Sequence, residues 1–459
     1  MEKIVSLSEL KEPEINRIPI YSNLCKQNCQ INPELFEKYD VKRGLREKSG
    51  KGVLVGLTKI AEVKSYTIDD GDMIPCEGKL YYRGIDIEQL VDGFINNNRF
   101  GFEETAYLLM FGNLPNEKEL ADFKEDLVYY RDLPTSFTRD FILKAPSRNI
   151  MNSLARSVLT LYTYDERADS IDVDTLVRQS LQMIARFPRL AVYSYHALAH
   201  YYQENSLFIH APSPDLGIAE NILYMLRPDN SFTELEAKVL DLALVLHSDH
   251  GGGNNSAFTT RVVTSTGTDT YSTIASAIGS LKGPRHGGAN IKVAEMFEDM
   301  MEKVTDWESD QQVSQYLNDI LDKKAFDNAG LIYGMGHAVY SISDPRAKIF
   351  KQYVEKLSHE KGFEREFKLY DRVERLSPDI INAKRHTYKA ISANIDFYSG
   401  FVYKMLEIPK ELYTPLFAIS RVPGWCAHRI EELVSNSKII RPAYKNVIKH
   451  NPYIELSNR

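Results

Sequence analysis

The chain has 459 residues, with 56 Lys and Arg against 63 Asp and Glu and a formal net charge of −7. A mildly acidic balance spread along the chain argues against general nucleic-acid binding, which needs clustered cations to displace counterions from phosphate. Hydrophobic residues at 43% and charged residues at 26% exclude disorder for the bulk of the chain, and only 25 Gly and 19 Pro give a composition poor in breakers that leans helical.

Met1 to Asn16 is charged throughout and has no apolar core, so no signal peptide is expected. Residues 1–50 are polar and weakly periodic, and they read as an arm that packs on a body. Gly56-Leu57-Thr58-Lys59-Ile60 and Gly78 to Gly84 flank a β-like stretch with Asp69, Asp70 and Gly71 as turn residues, which predicts a small sheet near residues 55–85. Helical spacing dominates from Ile87 onward. Glu103 to Phe111 is followed by Gly112 and Pro115, a helix stop.

Thr233-Glu234-Leu235-Glu236 reads as a capping box, followed by a stripe of Leu235, Val239, Leu242 and Leu246. This is the most apolar run of the chain. It is interrupted by Asp241 and falls far short of the roughly 20 residues that span a bilayer, so no membrane contact is expected. The helix ends at His247-Ser248-Asp249-His250 before three glycines. Another helix opens after Pro284-Arg285-His286-Gly287-Gly288, with Ile291, Ala294, Phe297 and Met301 as its buried face. One helix ends near Pro409, and a long one follows to about Leu433. No βαβ alternation or internal repeat appears, and the expectation is a mostly α-helical enzyme of two domains.

Cys25, Cys29, Cys76 and Cys426 are too few for a disulfide framework and fit a reduced, cytoplasmic protein. His250, His286 and His337 each stand beside glycines at predicted helix ends. Histidine and glycine are common at helix termini for structural reasons alone. At His286 the two glycines that follow allow a ligand to approach backbone N–H groups. The helix N-terminus and Arg285 would both keep that ring neutral, able to donate one N–H to a carbonyl oxygen. Arg346 follows His337 after an Asp-Pro turn and could take a carboxylate whose carbonyl the histidine polarises. Asp396, between Ile395 and Phe397, reads either as a helix cap or as a general base in apolar surroundings that raise its pKa. Arg421 and Arg441 taken singly read as solvated or salt-bridged. His247-x-Asp249-His250 matches half of a dinuclear metal-hydrolase signature, but Val245 stands where the first histidine belongs, so no metal is expected.

Four strings occur in order: His250-Gly-Gly-Gly-Asn-Asn; Gly283-Pro-Arg-His-Gly-Gly-Ala-Asn290; Gly336-His-Ala-Val-Tyr340 with Asp344-Pro-Arg346; and Asn394-Ile-Asp-Phe-Tyr-Ser-Gly400. With Tyr82-Arg83-Gly84-Ile85-Asp86-Ile87 and Phe102-Glu103-Glu104 through Leu114-Pro115, they make the chain from about Gly56 onward resemble the citrate synthase family.

That resemblance implies a mainly α, two-domain fold: a large domain of residues 1–287 and 408–459, and a small one of 288–407 that closes over the substrates. It implies condensation of acetyl-CoA with oxaloacetate and hydrolysis of the citryl thioester, with no metal and no permanently bound cofactor. By the same resemblance Asp396 is the general base, His286 stabilises the enolate and His337 polarises the oxaloacetate ketone. His250, Arg346 and Arg421 hold oxaloacetate. Arg441 reaches the partner's site in a homodimer. Lys282 and Arg285 are candidates for the CoA phosphates. Arg285, Ala393 and Gly251 depart from the commonest family residues, and none of the three removes a catalytic group. The alternatives are a 2-methylcitrate synthase using propionyl-CoA, a citryl-CoA-cleaving lyase module, a catalytically dead scaffold and a metal hydrolase.

Overall fold

The computed structural model describes residues 17–47, 51–69, 72–337, 339–340, 342–386, 390–435 and 438–459. The turn residues Asp70 and Gly71, Ala338 of the Gly-His motif and residues 1–16 and 48–50 of the expected N-terminal arm lie outside the described residues.

The chain forms two compact units, Met1–Gly56 and Leu57–Arg459. The first contains helices α1 (Ile18–Asn28) and α2 (Glu34–Lys38), neither of which has a buried residue. The second opens with the expected sheet, an antiparallel arrangement of β1 (Ala61–Asp69), β2 (Asp72–Tyr82) and the short β3 (Ile85–Asp86).

Helices then follow almost without interruption: α3 (Ile87–Ile95), α4 (Phe102–Phe111), α5 (Glu117–Tyr130), α6 (Ile150–Leu161), α7 (Val173–Gln203), α8 (Ile218–Leu226) and α9 (Glu234–His247). Next come α10 (Asn255–Thr264), α11 (Thr270–Lys282), α12 (Ala289–Lys303) and α13 (Asp310–Leu321). The last are α14 (Pro345–Lys361), α15 (Glu364–Arg385), α16 (Ile395–Met405) and α17 (Tyr413–Val434). No helix among the described residues is long and apolar enough to cross a membrane.

Local sequence explains the boundaries that matter. Gly112 ends α4 in the left-handed region at φ 92°, which glycine adopts without Cβ strain. Thr233 and Glu236 form a complete capping box at the start of α9. That helix differs from the expected one-sided stripe: every residue from Glu236 to His247 except Lys238 is buried, because α4, α8, α14 and α17 pack around it. In α12 the buried face is turned slightly from expectation. Ala294 and Phe297 are buried as predicted, together with Val293, Met296 and Met300, whereas Ile291 and Met301 are half-buried.

The core helix is α17, which packs on α4, α7, α9, α10 and α11 and buries nearly every residue from Tyr413 to Arg429. A helix buried all round has no solvated face for its charges, so Arg421, His428 and Arg429 must find partners inside the protein.

Candidate active site

Two guanidiniums organise the site. Arg421 is fully buried in α17, donates from Nε to the His247 carbonyl at 2.6 Å, and sits 4.7 Å from the Phe417 ring centre. Its Nη1 is buried with no partner among the described residues. Burial pushes its pKa down to about 10, still cationic at neutral pH. Arg346 opens α14 and is 4% exposed. Its Nε and Nη2 make a fork with Asp344, at 3.0 and 2.7 Å, and Asp344 also caps the helix by accepting from the Arg346 backbone N–H. The fork fixes the guanidinium plane, and Asp344 holds the Arg346 pKa above its ordinary value despite burial.

His250 and Asp396 lie in the field of both cations, and His337 lies beside His250. His250 follows the end of α9, and its Nε2 is buried without a partner among the described residues. Burial first, then Arg346, His337 and Arg421, hold its pKa well below the usual imidazole value, so the ring is neutral. Its ring centre lies 5.2 Å from that of His337 and 5.5 Å from that of Tyr340.

His337 does not stand at a helix end as expected. It lies in a loop stitched down by the Met335–Ala393 bridge and by hydrogen bonds from Gly336 N–H to Ser392 O and from Asn394 Nδ2 to Gly336 O. The backbone N–H groups of Val339 and Tyr340 both donate to His337 Nδ1, at 3.0 and 3.1 Å. That nitrogen is therefore an acceptor, and the neutral ring carries its proton on Nε2.

Asp396 lies in the first turn of α16. The helix cap is Asn394, whose Oδ1 accepts from the Asp396 N–H at 3.0 Å, so the capping alternative is taken by its neighbour. Burial raises the Asp396 pKa to about 6, with Arg346 and Arg421 opposing part of the rise. The result is a carboxylate that is ionised at neutral pH yet more basic than an exposed one.

His286 lies in the turn between α11 and α12. Gly287 permits that turn, because a Cβ there would stand 2.3 Å from the Leu281 carbonyl. Thr414 Oγ1 donates to the Gly287 carbonyl at 2.9 Å and ties the turn to α17. The ring pKa is lowered to about 4 by burial and then by Arg421. The sequence pointed to a neutral ring, but the dominant cause is burial, with Arg421 as the cation, in place of the exposed neighbour Arg285.

Lys282 and Arg285 are exposed beside this turn, and Arg441 is exposed on the C-terminal segment beyond α17. No group of three or more His, Cys, Asp or Glu side chains among the described residues is placed to hold a metal ion.

Tyr340, Ser256, Trp425 and His428 were given no role from sequence, and Asp249 entered only through the incomplete metal signature. The Tyr340 hydroxyl is buried without a partner among the described residues, next to His250 and His337. Ser256 Oγ lies 3.1 Å from His286 Nε2 and accepts from Trp425 Nε1–H at 3.1 Å. Asp249 is held by His428. An aromatic side chain inside the Gly-His loop and a Trp after Pro-Gly were visible signals, but neither carries a spacing rule.

The family model for the citrate synthase C-terminal domain matches residues 48–443. A citrate synthase from Synechocystis sp. is 35% identical over 388 residues, 83% of this chain and 89% of that protein. A 2-methylcitrate synthase from Shewanella oneidensis is 32% identical over 381 residues, 83% of this chain and 92% of that protein. Among solved structures, a citrate synthase from Thermoplasma acidophilum, in a ternary complex with carboxymethyl coenzyme A and oxaloacetate, superposes with a TM-score of 0.74. It is 28% identical and covers 91% of this chain and 99% of its own. With the motif residues in the arrangement described and a match across nearly the whole body, the chain belongs to the citrate synthase family and is a transferase enzyme.

Proposed function

We propose that the protein is a citrate synthase, condensing acetyl-CoA with oxaloacetate and hydrolysing the citryl thioester to citrate and free CoA. The observation that carries this reading is Asp396, a carboxylate raised to about 6 within the field of two guanidiniums, one of which has an unfilled buried donor. A base of that strength suits proton removal near neutral pH.

Asp396 takes a proton from the acetyl methyl group. His286 is neutral and donates to the thioester oxygen as enolate character develops, which is the electrostatic work of an oxyanion hole. This role requires the proton on Nδ1, with the Ser256 hydroxyl turned from Asn254 Oδ1, 2.9 Å away, to donate to Nε2 while Trp425 fills one of its lone pairs. The enolate carbon attacks the oxaloacetate ketone, and the Nε2–H of His337 polarises that oxygen and protonates the alkoxide. Water then cleaves the citryl thioester. Arg421, Arg346 and His250 hold the carboxylates of oxaloacetate. Lys282 and Arg285 meet the CoA phosphates.

Residues 288–407 act as a small domain that closes on residues 1–287 and 408–459 and excludes water while the enolate exists. The protein works as a cytoplasmic homodimer, with Arg441 completing the partner's site, and needs no metal or permanently bound cofactor. The Shewanella relative supports a second reading, 2-methylcitrate synthase, with the same residues acting on propionyl-CoA.

The test is release of free thiol with oxaloacetate, comparing acetyl-CoA and propionyl-CoA by kcat/KM. An acetyl preference is expected. A propionyl preference moves the protein to the second reading, and no thiol release by folded protein overturns both.

A further inference from the structure

Behind His250 lies a chain of buried charged groups that the proposed chemistry does not use. Asp249 is 0% exposed, and its Oδ1 accepts from the Gly251 N–H at 2.7 Å, closing a turn around His250. The Tyr82 hydroxyl lies 3.2 Å from both the Asp249 N–H and the Asp249 carbonyl and 3.1 Å from the Val245 carbonyl, so the backbone entering the turn is clamped as well. Helix α17 crosses directly over the carboxylate. A Cβ at Gly424 would stand 2.4 Å from Asp249 Oδ2, so only glycine allows this approach.

His428, also 0% exposed, reaches Asp249 Oδ2 from Nε2 at 3.2 Å. Its other nitrogen, Nδ1, faces Arg261 Nη2 at 2.8 Å and Nε at 3.2 Å. A guanidinium can only donate, so Nδ1 is an acceptor, and the neutral ring carries its proton on Nε2, pointing at Asp249. Arg261 is fixed in turn by Glu432 at 2.9 Å and by Glu431. Glu431 also accepts from the Lys59 N–H at 2.7 Å. Gly252 makes room for this assembly, since a Cβ there would come within 3.2 Å of Arg261 Nε.

Each end of the Asp249 carboxylate thus governs one substrate-facing group. Through Gly251 it sets the turn that aims His250, and against Gly424 it sets the height of α17, on which Arg421 lies one turn earlier. Both groups carry a buried atom with no partner among the described residues, His250 Nε2 and Arg421 Nη1.

We propose that Asp249, His428 and Arg261 form a positioning relay that aims His250 and Arg421 at the dicarboxylate substrate, with the Nε2–H of His428 as its critical link. This rests on the reading of oxaloacetate as that substrate. None of the three residues touches the reacting atoms. Their contribution is orientation of two side chains before substrate arrives, so it is felt in the binding of oxaloacetate more than in the chemical step.

Two substitutions separate the two ring nitrogens. His428→Gln keeps an N–H donor near the Nε2 position, and His428→Asn keeps only an acceptor near Nδ1. The measurements are KM for oxaloacetate and kcat by thiol release at saturating acetyl-CoA, the oxaloacetate Kd by calorimetry, and Tm. His428→Asn is expected to raise KM and Kd by about tenfold or more while kcat stays within about threefold. His428→Gln is expected to remain within about threefold of wild type in all three. Equal KM and Kd in the two variants, or losses that follow Tm alone, overturn the relay. Wild-type protein that fails to bind oxaloacetate overturns the relay and the citrate synthase reading together, whereas a wild type that binds and turns over isolates the failure to the relay.

Discussion

Ser256 Oγ lies 3.1 Å from Nε2 of His286 and joins the ring to the core of α17 through the Trp425 indole. A neutral imidazole has one proton, and whichever nitrogen it occupies decides whether the ring can donate to a substrate oxygen. Trp425 can only donate, so it fills one lone pair of the hydroxyl, and the single Ser256 proton goes either to Asn254 Oδ1 at 2.9 Å or to Nε2 at 3.1 Å; donation by His286 from Nδ1 requires the second. Ser256→Ala removes that donor. We expect kcat to fall by about tenfold to a hundredfold with KM for oxaloacetate unchanged, since the tautomer matters in the transition state and not in holding the ketoacid. An unchanged kcat in the folded variant removes Ser256 from this role.

Asp396 must be ionised to act as a base. Its pKa is raised to about 6 by burial, so kcat/KM should decline as pH falls through about 6, more than one unit above where an exposed aspartate would act. Asp396→Asn should lose about a thousandfold or more in kcat, at the upper range for a general base, while calorimetry still detects oxaloacetate. A flat profile down to pH 5 or near-normal turnover in the variant refutes the assignment.

The motifs were legible in sequence because their chemistry is local. Gly287 and Gly288 announce a helix N-terminus open to a ligand, Asp344-Pro345 announces a turn, and an aspartate flanked by Ile395 and Phe397 announces an unusual environment. Partnerships between distant segments were not legible. His428 meets Asp249 across 179 positions and Arg261 across 167, and no periodicity in α17 distinguishes a histidine that holds a carboxylate from one that fills space. The cause of the low His286 pKa was misassigned for the same reason. Arg285 is adjacent in sequence but exposed, whereas Arg421 is 135 positions away in sequence and its charge reaches the ring.

Tyr340 presents a buried hydroxyl with no partner among the described residues, its ring 5.5 Å from that of His250 and 5.0 Å from that of His337. Leaving a buried hydroxyl unsatisfied costs about 1–3 kcal/mol, a cost that a substrate oxygen would offset on binding. Tyr340→Phe keeps the ring and removes that penalty. The variant should be as stable as wild type or more so, yet bind oxaloacetate about tenfold more weakly. A Kd equal to wild type excludes a contact between this hydroxyl and substrate.

Acid stability follows from opposing shifts. His196, His247, His250 and His286 all have pKa values below that of free imidazole, with burial the largest cause in each. Below about pH 6.5 the unfolded chain takes up these protons and the folded one does not, so stability is lost as pH falls. Asp396 and Asp241 act in the opposite sense, since burial raises both and the folded state keeps their protons at higher pH. Each fully titrating group is worth about 1.4 kcal/mol per pH unit. Four imidazoles outweigh two carboxyls, so Tm should drop between pH 6.5 and 5, whereas the Asp241 proton makes it decline again above neutrality. A Tm that rises steadily on acidification to pH 5 would falsify this balance.

Gly78 tests whether the sheet helps to shape the site. It lies in β2, its N–H donates to Ser343 Oγ at 3.2 Å, and a Cβ there would stand 2.1 Å from the Ser343 carbonyl and 2.6 Å from the Tyr340 ring. Ser343 also bonds Glu77, which pairs with Lys348 at 2.7 Å, so the strand is fastened to the segment that runs from His337 to Arg346 and into α14. A methyl group cannot fit without moving backbone or ring, and a shift of about 1 Å in a substrate-holding group can cost a hundredfold in rate. Gly78→Ala should therefore lower kcat/KM for oxaloacetate by about tenfold or more, with an overpacking cost of about 1–3 kcal/mol in stability. Gly93→Ala, where a Cβ meets nothing within 4 Å on the exposed side of α3, is the control and should leave kcat/KM unchanged. If both variants turn over like wild type, the strand plays no part in placing the Tyr340 loop.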